Sequence, residues 1–72
     1  MNMIAPLEVH RPELLDVVAL LIDRPDLGLS RGAAGTIVET LDDFTALVEF
    51  SSDAGEAVAI TACPYRVLRV LN

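Results

Sequence analysis

Apolar and polar positions alternate strictly over residues 45–51, with Ala46, Val48 and Phe50 on one side and Thr45, Leu47 and Glu49 on the other. A period of two is the signature of a strand that turns one face to a core. Residues 36–41 hold Thr36, Ile37, Val38 and Thr40 and predict another strand, with Asp42-Asp43 as the turn that follows. Ser52-Asp53-Ala54-Gly55 predicts a hairpin turn, with Gly55 where positive φ is needed. Residues 56–62 then read as a strand, Pro64-Tyr65-Arg66 as a short tight turn, and residues 67–71 as a last strand.

Residues 13–23 have no single period. Leu14, Leu15, Val18, Leu21 and Ile22 share one helical face, and Pro12 suits a first helical position. Val17, Val18, Leu20, Leu21 and Ile22 leave almost no polar face, however, and three of these five are β-branched. Residues 24–32 are a loop by composition, punctuated by Pro25, Gly28 and Gly32. The spacing of Gly28, Gly32 and Gly35 predicts a strained turn that delivers the chain into the strand beginning at Thr36. Residues 1–12 contain Pro6 and Pro12, which argue against a helix, and Leu7-Glu8-Val9-His10 alternates only long enough for a short edge strand.

The run Leu14-Leu15-Asp16-Val17-Val18-Ala19-Leu20, the ordered Asp23, Pro25, Gly28, Leu29, Gly32 and Gly35-Thr36-Ile37-Val38-Glu39, then Val48-Glu49-Phe50 and Gly55 resemble domain-of-unknown-function family 4926 of small bacterial proteins. The resemblance covers nearly all of the chain beyond residue 13. It implies a five-stranded SH3-like barrel and makes residues 13–23 a strand; it implies no activity. More distantly, the layout is similar to the SH3-like folds of a photosystem I peripheral subunit and of nitrile hydratase accessory chains, which are binding and assembly parts. The expected fold is therefore all-β: a leader over residues 1–13, and a small barrel with a long first loop over residues 14–72.

At 72 residues there is room for one domain. A chain of this size buries only about 60% of its unfolded surface. Yet 53% of its residues are hydrophobic, so apolar side chains should remain on the surface, where large patches mark contact sites. In the first strand the row Val18, Leu20 and Ile22 and the row Val17, Ala19 and Leu21 are both apolar, and the fourth strand repeats this with Ala57, Ala59 and Thr61 against Val58, Ile60 and Ala62. A barrel strand shows one face to water, so something should cover these outer faces: the leader, a second copy in a homodimer, or another partner.

Eleven carboxylates oppose five arginines and no lysine, for a net charge of −6. Such a chain repels nucleic acid and anionic membranes, and it attracts a basic protein. The N-terminal residues lack the basic start and apolar core of a signal peptide, and no window approaches the roughly 18–20 apolar residues of a membrane span, so a cytoplasmic protein is expected.

Chemistry is sparsely supplied. His10 is the single histidine, and a dyad with Cys63 requires the leader to fold back over the fourth strand. Cys63, the single cysteine, excludes an intramolecular disulfide and reads as a buried structural thiol. Asp42-Asp43 and Asp53 with Glu56 fall at turns, where carboxylates satisfy backbone donors. No calcium-loop pattern occurs, and a phosphate-binding loop would need a lysine after its glycines and a helix behind them. No catalytic, metal or cofactor residue is expected.

These features together predict a non-catalytic interaction module. Its candidate contact residues are Val18, Leu20 and Ile22, rimmed by Asp42, Asp43 and Glu49, while Gly28, Gly32, Gly35 and Gly55 serve the turns. The most concrete version is an antitoxin or immunity-type protein masking a basic, nuclease-like partner. An accessory subunit of a larger complex is the alternative, and a nucleic-acid-binding barrel is disfavoured by charge and by an aromatic set of only Phe44, Phe50 and Tyr65.

Overall fold

The computed structural model describes residues 12–71. Its strands are β1 (Val17–Leu20), β2 (Ala34–Asp42), β3 (Thr45–Ser51), β4 (Ala57–Pro64) and β5 (Leu68–Val70). All pair antiparallel in one sheet, in the order β4-β3-β2-β1-β5. The fold class is all-β, as the alternation predicts. Between β4 and β5 the chain turns through a single 3-10 turn, Tyr65–Val67. One core receives side chains from all five strands: Val18 and Leu20, Ile37, then Ala46, Val48 and Phe50, then Cys63 and Leu68, closed at one side by Leu29 of the first loop. An order of this kind, with every inner face meeting in one cluster, fits a curled SH3-like sheet. The leader lies outside the described residues, apart from Pro12 and Glu13.

β3 matches its sequence pattern residue for residue, with Ala46, Val48 and Phe50 buried and the alternate positions half-exposed. Its register on β4 explains which row of β4 faces inward. Phe50 stands opposite Ala59, Val48 opposite Thr61 and Ala46 opposite Cys63. Large side chains on one strand meet small ones on the next, so the interior fills without crowding. The larger residues of β4, Val58 and Ile60, are left on the outer face.

β1 is shorter than residues 13–23. Leu14 and Leu15 form a turn instead, held by the Asp16 carboxylate accepting the Glu13 N–H at 2.8 Å and by the Asp16 N–H donating to the Glu13 carbonyl at 3.0 Å. That turn places Leu15 at φ +71°, a conformation a leucine adopts only when its surroundings impose it. At the other end, Leu21 and Ile22 leave the ladder in a bend.

The pairing of β2 with β3 slips twice, passing over Val38 and Leu41, and both side chains are exposed. Bulges of this kind twist a hairpin and redirect side chains. They also move the predicted turn by one residue: Asp42 still pairs with Thr45, and the turn residues are Asp43 and Phe44. The Asp42 carboxylate accepts the Phe44 N–H at 2.8 Å, an Asx turn.

The glycines divide into two physical types. Gly28, Gly32 and Gly55 have positive φ, with open space where a side chain would stand. Gly35 is different. A Cβ there would lie 2.7 Å from Val48 Cγ1 and 2.8 Å from Phe50 Cδ1. Replacing Gly35 with Val is expected to destabilise by about 3 kcal/mol through overpacking. Replacing Gly32, at φ +93°, with Ala should cost about 1–2 kcal/mol through backbone strain alone. Urea melts of the two variants check the order; equal midpoints would refute the close-packing role of Gly35.

Candidate functional site

The end of the sheet bearing the β2–β3 hairpin carries an open groove of about 500 Å³. Its apolar lining is Pro12, Leu14, Leu41 and Tyr65, and its charged lining is Glu13, Asp42 and Asp43. Each side chain arrives there for a local reason. The bulge at Leu41 turns that residue out of the ladder, and the turn at residues 14–15 exposes Leu14. Tyr65 starts the 3-10 turn and is tied to the hairpin, its N–H donating to the Phe44 carbonyl at 2.7 Å. Phe44, at the tip, is 75% exposed. An aromatic so placed adds nothing to the core, and burying it against another surface would be favourable.

The contact residues expected from the sequence do not form one surface. Asp42 and Asp43 line this groove together. Glu49 lies on the outer face of β3, opposite Thr36 on one side and Ile60 on the other. It stands four residues along the strand from Thr45, the partner of Asp42, or about 13 Å. Val18 and Leu20 are corrected outright: they are 0% and 1% exposed, within the core. The reason is register. Val18 pairs with Gly35 and Val70, and Leu20 with Leu68, on the face shared by Ile37 and Phe50. The outward residues beside them are Val17 and, past the strand, Leu21 and Ile22, the last 42% exposed. Leu14, Leu41, Phe44 and Tyr65 escaped the sequence reading. The signal at hand was the apolar pair Leu41 and Phe44 flanking two aspartates; Leu14 and Tyr65 join it only through the fold.

A second open groove, about 760 Å³, runs between the glycine-bearing loop and the β3–β4 hairpin, lined in part by Val17, Gly32, Gly35, Thr36, Val58 and Asp53. Asp53 is its one charged residue among those described. Five of the loop's backbone donors are spent within the chain: Gly28 on the Pro25 carbonyl, Leu29 on Arg24, Gly32 on Leu20 at 2.7 Å and Ala33 on Ser30, while Arg31 donates its N–H to the Asp23 carboxylate at 2.7 Å. The glycines therefore shape a turn, and no row of N–H groups is left to cradle a phosphate. Arg24 makes a two-point contact with Asp26, at 3.1 and 3.0 Å, which holds that carboxyl below the usual carboxylate range.

Cys63 is buried, and burial pushes its thiol pKa up, against a smaller opposing pull from Arg24. The fold thus brings Arg24, rather than its sequence neighbour Arg66, to act on this thiol. His10, the other member of the disfavoured dyad with Cys63, lies outside the described residues. Among those described, no group of three or more His, Cys, Asp or Glu could hold a metal ion, and no helix is long and apolar enough to cross a membrane.

The chain belongs to the family described as Domain of unknown function (DUF4926), whose model matches residues 14–70. Neither a curated protein nor a solved structure matches it.

A thiol reagent such as DTNB is expected to react with the native protein only at the rate of global opening, and at once in urea, because Cys63 is both buried and held as the thiol. Rapid native labelling would show the site open.

Proposed function

We propose that this chain is a non-catalytic protein-binding module whose partner docks at the β2–β3 hairpin and presents a basic surface. The carrying observation is the composition of the hairpin groove: Leu14, Leu41 and Tyr65 lie beside Glu13, Asp42 and Asp43, and no cation lines it among the described residues. Apolar surface supplies affinity in proportion to the area removed from water, while uniform charge at its rim selects the partner and speeds encounter. The net charge of −6 extends that attraction beyond the groove. Exposed Phe44 provides an aromatic anchor of the kind that dominates interface energetics. A basic, nuclease-like protein masked by this acidic face is the most concrete form of the reading.

The test begins with capture of partners by the tagged full-length protein at low salt, followed by kinetics on each purified partner. A partner rich in Lys and Arg is expected, with an on-rate that falls steeply as salt rises while the off-rate changes little. Reversing Asp42 and Asp43 together to Lys should lower the on-rate about tenfold at low ionic strength. Phe44→Ser should instead raise the off-rate, by about tenfold for a central anchor. An acidic partner, or an on-rate indifferent to both salt and charge reversal, would overturn the proposal.

A further inference from the structure

The two edges of the sheet are treated unequally. β5 is three residues long and carries exposed Arg69, so its edge is short and charged. β4 is eight residues long, carries no charge, and has its single proline at its last position. Among the described residues nothing pairs with its second edge. Short length, edge charge, proline and cover are the devices by which proteins keep an edge strand from recruiting another chain. β5 has two of them. Among the described residues the body of β4 has none.

We infer that the free edge of β4 is where a second copy of this chain adds, antiparallel, joining two five-stranded sheets across a two-fold axis. This goes beyond the hairpin reading and uses a different surface. Two observations favour a second copy over another occupant. The first is charge. All eleven carboxylates precede residue 57, and residues 57–72 hold only Arg66 and Arg69 as charged groups. The body of β4 is thus an acid-free strand in an acidic molecule, with Glu56 just before its start, and two such bodies can meet with little repulsion. Glu49 is the carboxylate facing Ile60 across one strand. In the pair, the two Glu49 residues would stand three strand spacings apart, about 14 Å, which is beyond the Debye length at physiological salt.

The second is self-complementarity. A two-fold perpendicular to the sheet keeps outer faces outer, so directly opposed residues must both point outward or both inward, and the axis must fall on a residue rather than between two. Centred on Ile60, it sets Ile60 against Ile60 of the second copy and Val58 against Ala62 at each end. Ile60 is 57% exposed and Val58 47% in the single chain. Inward, Ala59 and Thr61 are small enough to leave the core undisturbed. The backbone groups of the edge gain partners at the same time, which supplies the bulk of the recognition.

Sedimentation equilibrium of the full-length protein over a micromolar concentration series tests this. Wild type is expected to be a reversible dimer. Ile60→Lys, placed on an exposed side chain, should weaken association about tenfold or more, with an unchanged circular dichroism spectrum. Phe44→Ser should leave the dimer intact, since the hairpin is not in the contact. Hydrogen exchange on wild type gives a readout independent of any variant: β4 amides should gain protection as concentration rises. A monomer at every concentration would sink the proposal, whether the β4 amides are unprotected or already protected by a segment of the same chain. So would a dimer that Ile60→Lys leaves unaffected, or one that Phe44→Ser dissolves. No basic partner enters these measurements, so their failure leaves the hairpin proposal standing, and the converse holds.

Discussion

The packing of Phe50 and Val48 over the bare backbone of Gly35 is the contact on which the rest of this small sheet depends. Gly35 sits in β2, paired with Val18 on one side and Phe50 on the other. With no Cβ in the way, the two side chains from β3 can cross the middle of the sheet and fill the interior. Phe50 is the largest of the fully buried residues, and the other aromatic at the core, Tyr65, packs against it only partly buried. A domain of this size has little interior to spend, so one aromatic and a handful of aliphatics must fill it tightly.

That central packing sets the neighbouring strands in turn. Because Phe50 and Val48 reach inward, the residues opposite them on β4 are Ala59 and Thr61, and Val58 and Ile60 are displaced outward. Because Val18 must meet Gly35, the row containing Val18 and Leu20 goes to the core and Val17 to the surface. The apolar excess of the sequence therefore surfaces in particular places: the β2–β3 hairpin end, the outer side of β1, and the β4 edge. The first adjoins carboxylates, and the last has none along the strand. Two surfaces, one acidic and one uncharged, follow from one packing choice.

Backbone hydrogen bonding explains why the glycine-bearing loop is structural. Its N–H groups are turned onto Leu20, Arg24, Pro25 and Ser30 carbonyls and the Asp23 carboxylate. Leu29 is thereby inserted into the core from the side. An amide already paired within the chain is not free to bind a ligand without losing that bond. The loop is thus a plug for one side of the core, and Gly28 and Gly32 supply the positive φ that lets so short a segment turn back.

Much of this was determined by the sequence alone. The strict alternation in residues 45–51 fixed β3 and its inner face, because a period of two leaves no other way to bury Ala46, Val48 and Phe50 together. Turn chemistry located the Gly55 hairpin and the loop before β2, and the family resemblance made residues 13–23 a strand, of which Val17–Leu20 form one. Where both rows of a strand are apolar, however, pattern carries no sign. Val18 and Leu20 against Val17 and Ala19, or Ala59 and Thr61 against Val58 and Ile60, are decided by which residues stand opposite on the next strand. The bulges at Val38 and Leu41 and the assembly of Leu14, Leu41 and Tyr65 into one groove lie equally beyond local reading. They arise from register between segments distant in sequence, and only the tertiary structure sets that register.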